Sequence, residues 1–487
     1  MIKHLVILSG LLLLFEQPMQ AAARDASPPN IILFLIDDWG WTDLGAYGSK
    51  LYETPQIDRL AAQGMKFTQA YAACMVCSPS RAAVMTGKYP ARLRVTDWIP
   101  GAERPFAMLK IPQWTPQLPL AERTIAEELQ ARGYRTGHFG KWHLGGEGFG
   151  PEKHGFDVNF GGCHLSGPRS YFPPYGIPVV TDEQPGEFLT DRTTREVVAF
   201  IEENRARPFF AYVPHYAVHM PLGGKPAVIE KYQKKIVAGI NHTNAVYGAL
   251  VESVDDSVGA VMKKLAELKL EENTVIVVTS DNGGLTRLFI NGGWGKPLAT
   301  DNSPLREGKG SVYEGGVRVP LMVKWPGVTR PGSVNETTLV SGVDFFPTLL
   351  DIARAPTADW PPVDGESLVP VLKGGAASSS RAVYWHYPHY HPGGATPYSA
   401  VREGDWKLIH FFENDRVELY NLKDDVGETR DRAQSEPRRA GELRAKLNAW
   451  RAGVGAQLPS NNPGYDPDRK WERSPPAGAK QGGAKKG

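Results

Sequence analysis

Asn30-Ile31-Ile32-Leu33-Phe34-Leu35-Ile36-Asp37-Asp38 is an unbroken apolar run that stops on two carboxylates. A strand with no polar face must be covered on both sides, as happens in a parallel sheet held between helix layers. Thr274-Val275-Ile276-Val277-Val278-Thr279 repeats the design and runs into Asp281-Asn282-Gly283-Gly284. A third short run, Phe209-Phe210-Ala211-Tyr212-Val213, delivers Pro214-His215 and then His219-Met220-Pro221. Helical patterns lie between. Thr54-Pro55 opens one that Gly64 closes, 124–132 reads as another, and Tyr247, Val251, Val254, Val258, Val261, Leu265 and Leu268 stripe a long third. The alternation predicts an α/β fold, a large doubly wound mixed sheet flanked by helices. Such sheets bind ligands beyond the carboxyl ends of their strands, where both acidic pairs fall.

Further along, a Pro- and Gly-rich stretch at 359–375 marks a boundary. Beyond it 406–412 and 416–422 read as strands joined by a turn, and Leu443, Leu447 and Trp450 mark a last helix. A smaller C-terminal antiparallel sheet plus helix is expected, so the units run 24–370 and 371–459. From 460 to 487 the Pro/Gly/Lys-rich chain reads as a disordered tail. At the other end Lys3 and His4 precede an apolar run at 5–15, with Ala21-Ala22-Ala23 for cleavage. Residues 1–23 therefore read as a signal peptide, too short for an integral membrane segment, and the mature chain as exported, periplasmic or secreted.

Composition narrows the classes. At 487 residues and 41% hydrophobic content the chain can bury a large core, while 55 basic against 53 acidic residues gives no nucleic-acid surface. Three cysteines, Cys74, Cys77 and Cys163, are too few for a disulfide framework, and Cys74 reads as a small buried residue.

The chemistry centres on Cys77-Ser78-Pro79-Ser80-Arg81, continuing to Thr86-Gly87. Ser78 suits an N-cap and Pro79 a first helical position, which would set Cys77 just ahead of a helix N-terminus. Unpaired N–H groups and the helix dipole there favour an oxyanion, and Arg81 adds a fixed charge one turn in. Asp37, Asp38, Asp281 and Asn282 together make an all-oxygen set for a hard divalent cation. Lys141 and His143 sit in Gly140-Lys141-Trp142-His143-Leu144-Gly145, and Lys309 lies between Gly308 and Gly310.

Cys-x-Pro-x-Arg followed by Thr-Gly resembles the signature of the type I, formylglycine-dependent sulfatases, an arylsulfatase-like branch of the alkaline phosphatase superfamily. Asp37-Asp38, Lys141 to His143, Asp281-Asn282 and Lys309 match the family's other segments in order. The resemblance implies that a formylglycine-generating enzyme converts Cys77 to formylglycine (3-oxoalanine), whose hydrate is the nucleophile. It implies one divalent cation, Ca²⁺ with Mg²⁺ as the alternative, on Asp37, Asp38, Asp281 and Asn282 and touching the modified Cys77. Lys141, Lys309 and Arg81 would spread charge around the sulfuryl group. His219 would protonate the departing alcohol and His143 take the proton of the second hydroxyl.

A sulfated saccharide is the expected substrate. The ring-rich segment Tyr384-Trp385-His386-Tyr387-Pro388-His389-Tyr390-His391, read as a loop, offers His386, His389 and His391 as substrate contacts, with His215 a further candidate. The same rings could equally be packed between domains. Two rival readings stay open here. One is a phosphatase or phosphodiesterase of the same superfamily; the other is a non-enzymatic, carbohydrate-binding pseudosulfatase.

Overall fold

A computed structural model describes residues 28–287, 289–290, 293–294, 299–376 and 381–473. The leader at 1–23 and the last residues of the tail lie outside them. The first apolar run forms β1 (Asn30–Ile36), followed by β2 (Met65–Tyr71), β3 (Arg135–Phe139), β4 (Val158–Phe160), β5 (Phe209–Val213), β6 (Thr274–Ser280), β7 (Arg318–Lys324), β8 (Ser333–Asn335) and β9 (Val340–Ser341). They build one nine-stranded sheet in the order β8-β2-β7-β6-β1-β5-β3-β4, with β9 pairing β2. The strands β6, β1, β5, β3 and β4 are parallel, while β7 runs antiparallel to both β6 and β2.

The fully apolar strands have the physical reason expected of them. Ile32, Phe34 and Ile36 pack under the long helix Ala245–Glu267 through Val254, Val258 and Val261. Ile31, Leu33 and Leu35 pack on the opposite face with Phe346, Leu349 and Leu350 of the helix Phe345–Ile352. Every residue of β1 and β6 is buried.

The C-terminal sheet has four antiparallel strands, β10 (Ala382–Tyr387), β11 (Tyr398–Glu403), β12 (Trp406–Phe411) and β13 (Val417–Asn421). Alternation splits its faces. Val401, Leu408 and Leu419 pack with Leu443 and Leu447 of the helix Pro437–Val454, while Trp385, Tyr387, Ala400 and Ile409 pack on Tyr71, Met75 and Val317 of the main body. Two expectations need correcting. The ring-rich segment is a loop only in its second half, because Ala382–Tyr387 is strand. The chain from 460 is not free at once: Ser460–Asn461 pairs with Leu109–Lys110, and Trp471 meets Arg104 and Tyr390.

Candidate active site

The carboxyl ends of four adjacent parallel strands converge. Asp37 and Asp38 leave β1, Asp281 and Asn282 leave β6, Lys141 and His143 follow β3, and His219 follows β5. Backbone bonds fix the last of these segments to the first, since Asp37 N–H donates to Ala217 O and Val218 N–H donates to Asp37 O. Gly140, at φ +130, lets the chain pass so close to Pro214 O that any Cβ would collide with it. Lys141 N–H then donates to that same carbonyl (2.7 Å), which aims the lysine inward.

Around this floor, charges pair in a tight lattice. Lys141 Nζ donates to Asp37 Oδ2 (2.7 Å), and Lys309 Nζ reaches Asp38 Oδ1 at 2.6 Å. Arg81 Nε donates to Asp281 Oδ2 (2.9 Å) and its Nη1 to Lys141 O (3.0 Å). Asp281 Oδ1 accepts Asp38 N–H, and Asn282 Nδ2 donates to Asp38 Oδ1. Burial pushes Asp37 well above the usual carboxylate range despite Lys141. Burial acts the same way on Asp38, but Lys309, His219 and Lys141 together hold it low.

The set fits a dication. Asp37 Oδ1 and Asn282 Oδ1 are buried acceptors with no hydrogen-bond donor, an expensive condition unless a cation completes them. Three carboxylates face three fixed cations, so an added dication leaves a positive excess that an anionic ester would balance. Single ligand atoms of Asp37, Asp38 and His219 also lie within 4.8 Å of one another. The oxygen set is the better cage, because hard cations prefer oxygen and the two orphaned atoms are oxygens.

Cys77 lies at the head of the helix Cys77–Thr86, two positions further into it than expected. Val76, in extended conformation, is the N-cap, and Ser78 does not cap. Ser78 was missed as a contributor: its Oγ lies 3.2 Å from His143 Nδ1 and accepts Ile99 N–H. Cys77 Sγ is 3.3 Å from the same Nδ1. His143 Nε2–H donates to Ile99 O (2.5 Å), which fixes the tautomer and leaves Nδ1 as a lone pair. Burial, then Lys141, holds its pKa well below the ordinary imidazole value. His219 is arranged the other way round, with Nδ1–H donating to Met220 O (2.7 Å) and Nε2 3.7 Å from Asp38 Oδ2.

The remaining candidates divide. His215 does not join the cluster, since its Nε2 bonds Ser257 Oγ and its ring stacks on Phe34. His386 is buried between Ser399 Oγ and Gln457 O, and His389 Nε2 bonds Thr96 Oγ1. His391 does come near, its ring packed on Gly310 beside Lys309. Arg81 has no exposed surface and is committed to Asp281 and Lys141 O, so it orders the site from beneath. Lys309 also borders a cleft of about 690 Å³ lined by Arg287, Tyr313, Phe411 and Arg416. A larger cavity of about 1070 Å³, beside Gln56 and Lys324, lies at the opposite end of the strands from this chemistry.

A buried thiol under an unprotonated imidazole, ringed by lysines and a hard-cation cage, describes a hydrolase for oxyanion esters. The comparisons give the class its family. A family model described as Sulfatase matches residues 29–355, and one described as N-sulphoglucosamine sulphohydrolase, C-terminal, matches 308–451. N-acetylgalactosamine-6-sulfatase of Canis lupus familiaris is 36% identical over 77% of this chain and 72% of its own length. Arylsulfatase A of Homo sapiens is 36% identical over 81% of this chain and 77% of its own. A crystal structure of Ps i-CgsB in complex with k-i-k-neocarrahexaose superposes with a TM-score of 0.73 at 28% identity, covering 90% of this chain and 95% of that one. The chain belongs to the sulfatase family. It is a sulfatase enzyme, a hydrolase of sulfate esters.

Proposed function

We propose that this sulfatase acts on sulfated saccharides after export, with formylglycine at position 77 and one divalent cation, calcium before magnesium. The chemistry rests on one observation: Nε2 of His143 is committed to Ile99 O, so Nδ1 turns its lone pair to the side chain at 77. Installed there by a formylglycine-generating enzyme, a hydrated aldehyde supplies two hydroxyls on one carbon, one to attack sulfur and one to expel the sulfate. Asp37, Asp38, Asp281 and Asn282, with residue 77, would hold the cation, which would supply Lewis-acid chemistry toward a sulfate oxygen.

The chain's own groups do the rest. His143 Nδ1 accepts a hydroxyl proton from residue 77, and its low basicity keeps it unprotonated and ready. Lys141 and Lys309 place ammonium groups where sulfuryl oxygens gain charge, and Arg81 holds Asp37 and Asp281 in register behind them. His219 has Nε2 free of any carbonyl, so that nitrogen carries the proton to the departing alcohol oxygen. Burial and the two lysines depress its pKa; a bound ester anion offsets the lysines and lets it protonate. The saccharide reading is supported by the aromatic and cationic cleft beside Lys309, by a relative named N-acetylgalactosamine-6-sulfatase and by a neighbour solved in complex with k-i-k-neocarrahexaose.

Peptide mass spectrometry of the exported protein, with an aldehyde-reactive probe, tests the first half; desulfation of a panel of sulfated mono- and disaccharides tests the second. An aldehyde at 77 and turnover of at least one sugar are expected. A thiol at 77 in fully active protein would sink the mechanism.

A further inference from the structure

Lys309 is carried by irregular chain, with neither helix nor strand to fix it. Two residues before it Glu307 sits at φ +58, a left-handed backbone state that a β-carbon disfavours. Such a conformation persists only where its surroundings hold it. The holder is Asn302, 2% exposed, whose Nδ2 donates to Glu307 O (2.9 Å) and to Gly284 O (3.0 Å). Lys309 N–H donates to the same Gly284 carbonyl (3.0 Å), so both lone pairs of that oxygen are used.

Position gives this amide its reach. Gly40 lies two residues past Asp38, Gly284 two past Asn282 and Gly308 directly before Lys309. A β-carbon at any of the three would come within 2.7 Å of an amide atom of Asn302. One side chain therefore stands where the loops of Asp38, Asn282 and Lys309 meet. From Gly284 the tie runs on through Asn282, whose Nδ2 donates to Asp38 Oδ1 (2.8 Å), the oxygen that Lys309 Nζ meets at 2.6 Å. Asn302 Oδ1 is buried with no donor among the described residues. An amide placed for stability alone would not leave its own acceptor unsatisfied in order to serve two carbonyls.

We propose that Asn302 is a positioning residue of the sulfatase: it holds the Lys309 loop against the Asn282–Gly284 segment and so sets the Lys309 ammonium for the sulfuryl oxygens. The inference rests on the role given to Lys309 above. The competing role is a tie that only keeps the loop folded.

A double-mutant cycle in the holoenzyme separates the two, read as kcat on 4-nitrophenyl sulfate and as Ki for inorganic sulfate. Lys309→Ala should lower kcat by about 10²–10³-fold, the scale for one group that stabilises transition-state charge. Asn302→Ala should lower it by about tenfold, as a misplaced group does, and raise the sulfate Ki. In Lys309→Ala protein the same change at 302 should leave both quantities within about twofold, because the group it positions is gone. Equal losses from Asn302→Ala with and without Lys309 overturn the positioning role and leave the tie. Asn302→Asp, which keeps the size and exchanges the donor nitrogen for an oxygen, carries the cycle if Asn302→Ala fails to fold. If Lys309→Ala leaves kcat unchanged, the role of Lys309 falls and its positioning with it. If Lys309→Ala costs the expected factor and Asn302→Ala nothing, the positioning role falls alone.

Discussion

His143 is buried and His219 only partly exposed, and both are held neutral, yet different ring nitrogens are committed in each. His143 gives Nε2–H to Ile99 O and keeps Nδ1 for residue 77; His219 gives Nδ1–H to Met220 O and keeps Nε2 for the leaving side. An acid matters in proportion to the basicity of what departs. His219→Ala should therefore reduce kcat on a saccharide sulfate by about 10²–10⁴-fold, the usual scale of general acid catalysis, and on 4-nitrophenyl sulfate by under about tenfold. Steady-state rates on both substrates check this, and an equal loss on both would remove His219 from that role. Much of this was legible in the sequence, since Lys141 and His143 are bracketed by glycines and Asp281-Asn282 ends a buried strand. Ser78 and Ile99 were not. Ser78 was read as a cap because Pro79 suits a first helical position, but the first four N–H groups of any helix lack partners, so proline fits the third as well. Ile99 contributes through its backbone, which no side-chain pattern announces.

At the level of elements, strand ends could be read and strand directions could not. Apolar runs closed by Asp or His gave β1, β5 and β6 with their cargo, because a strand buried on both faces leaves a continuous signal. Nothing in Arg318–Lys324 reveals that it runs against its neighbours. His386 shows a different limit: adjacent residues of Ala382–Tyr387 face opposite sides, so a row of rings that looks like one surface is two. What ties the small sheet to the large one is charge as much as packing. Lys407, without exposed surface, sits 2.9 Å from both Glu314 and Glu428. Removing the ammonium strands two buried carboxylates, and breaking such a pair typically loses about 3–5 kcal/mol. Lys407→Met should show that loss in urea denaturation, with the amides of Ala382–Tyr387 and Tyr398–Glu403 exchanging early. A loss below about 1 kcal/mol would mean the apolar contacts of Trp385, Tyr387 and Ile409 suffice.

For the whole molecule, net charge says little and the buried histidines say more. Leaving the catalytic cluster aside, burial holds His138, His215, His389 and His391 down at about 3, and His154 and His386 at about 4. All six stay neutral in the folded protein but protonate in the unfolded chain once pH drops below about 6.5. Their contribution is therefore present above that value and lost as pH falls toward 4. Buried acids work against them, Asp43 and Asp344 among them, both raised by burial. Asp97, Asp255 and Glu428 are raised to about 7, again by burial, so the folded form holds protons that the unfolded chain releases above about 4. Between pH 5 and 6 unfolding then takes up about six protons and gives back at least about three. Each net proton corresponds to about 1.4 kcal/mol per pH unit, so stability should fall with acidification in that window, by up to about 4 kcal/mol per unit. Urea midpoints at pH 7, 6 and 5 measure the slope directly. The leading place of the histidines makes a second measurement decisive. His386→Gln and His389→Gln should each flatten the curve by about one proton's worth, while Asp97→Asn should steepen it. A flat profile from pH 7 to 5 would show the buried acids cancelling the histidines, and the histidines would then lose their leading place.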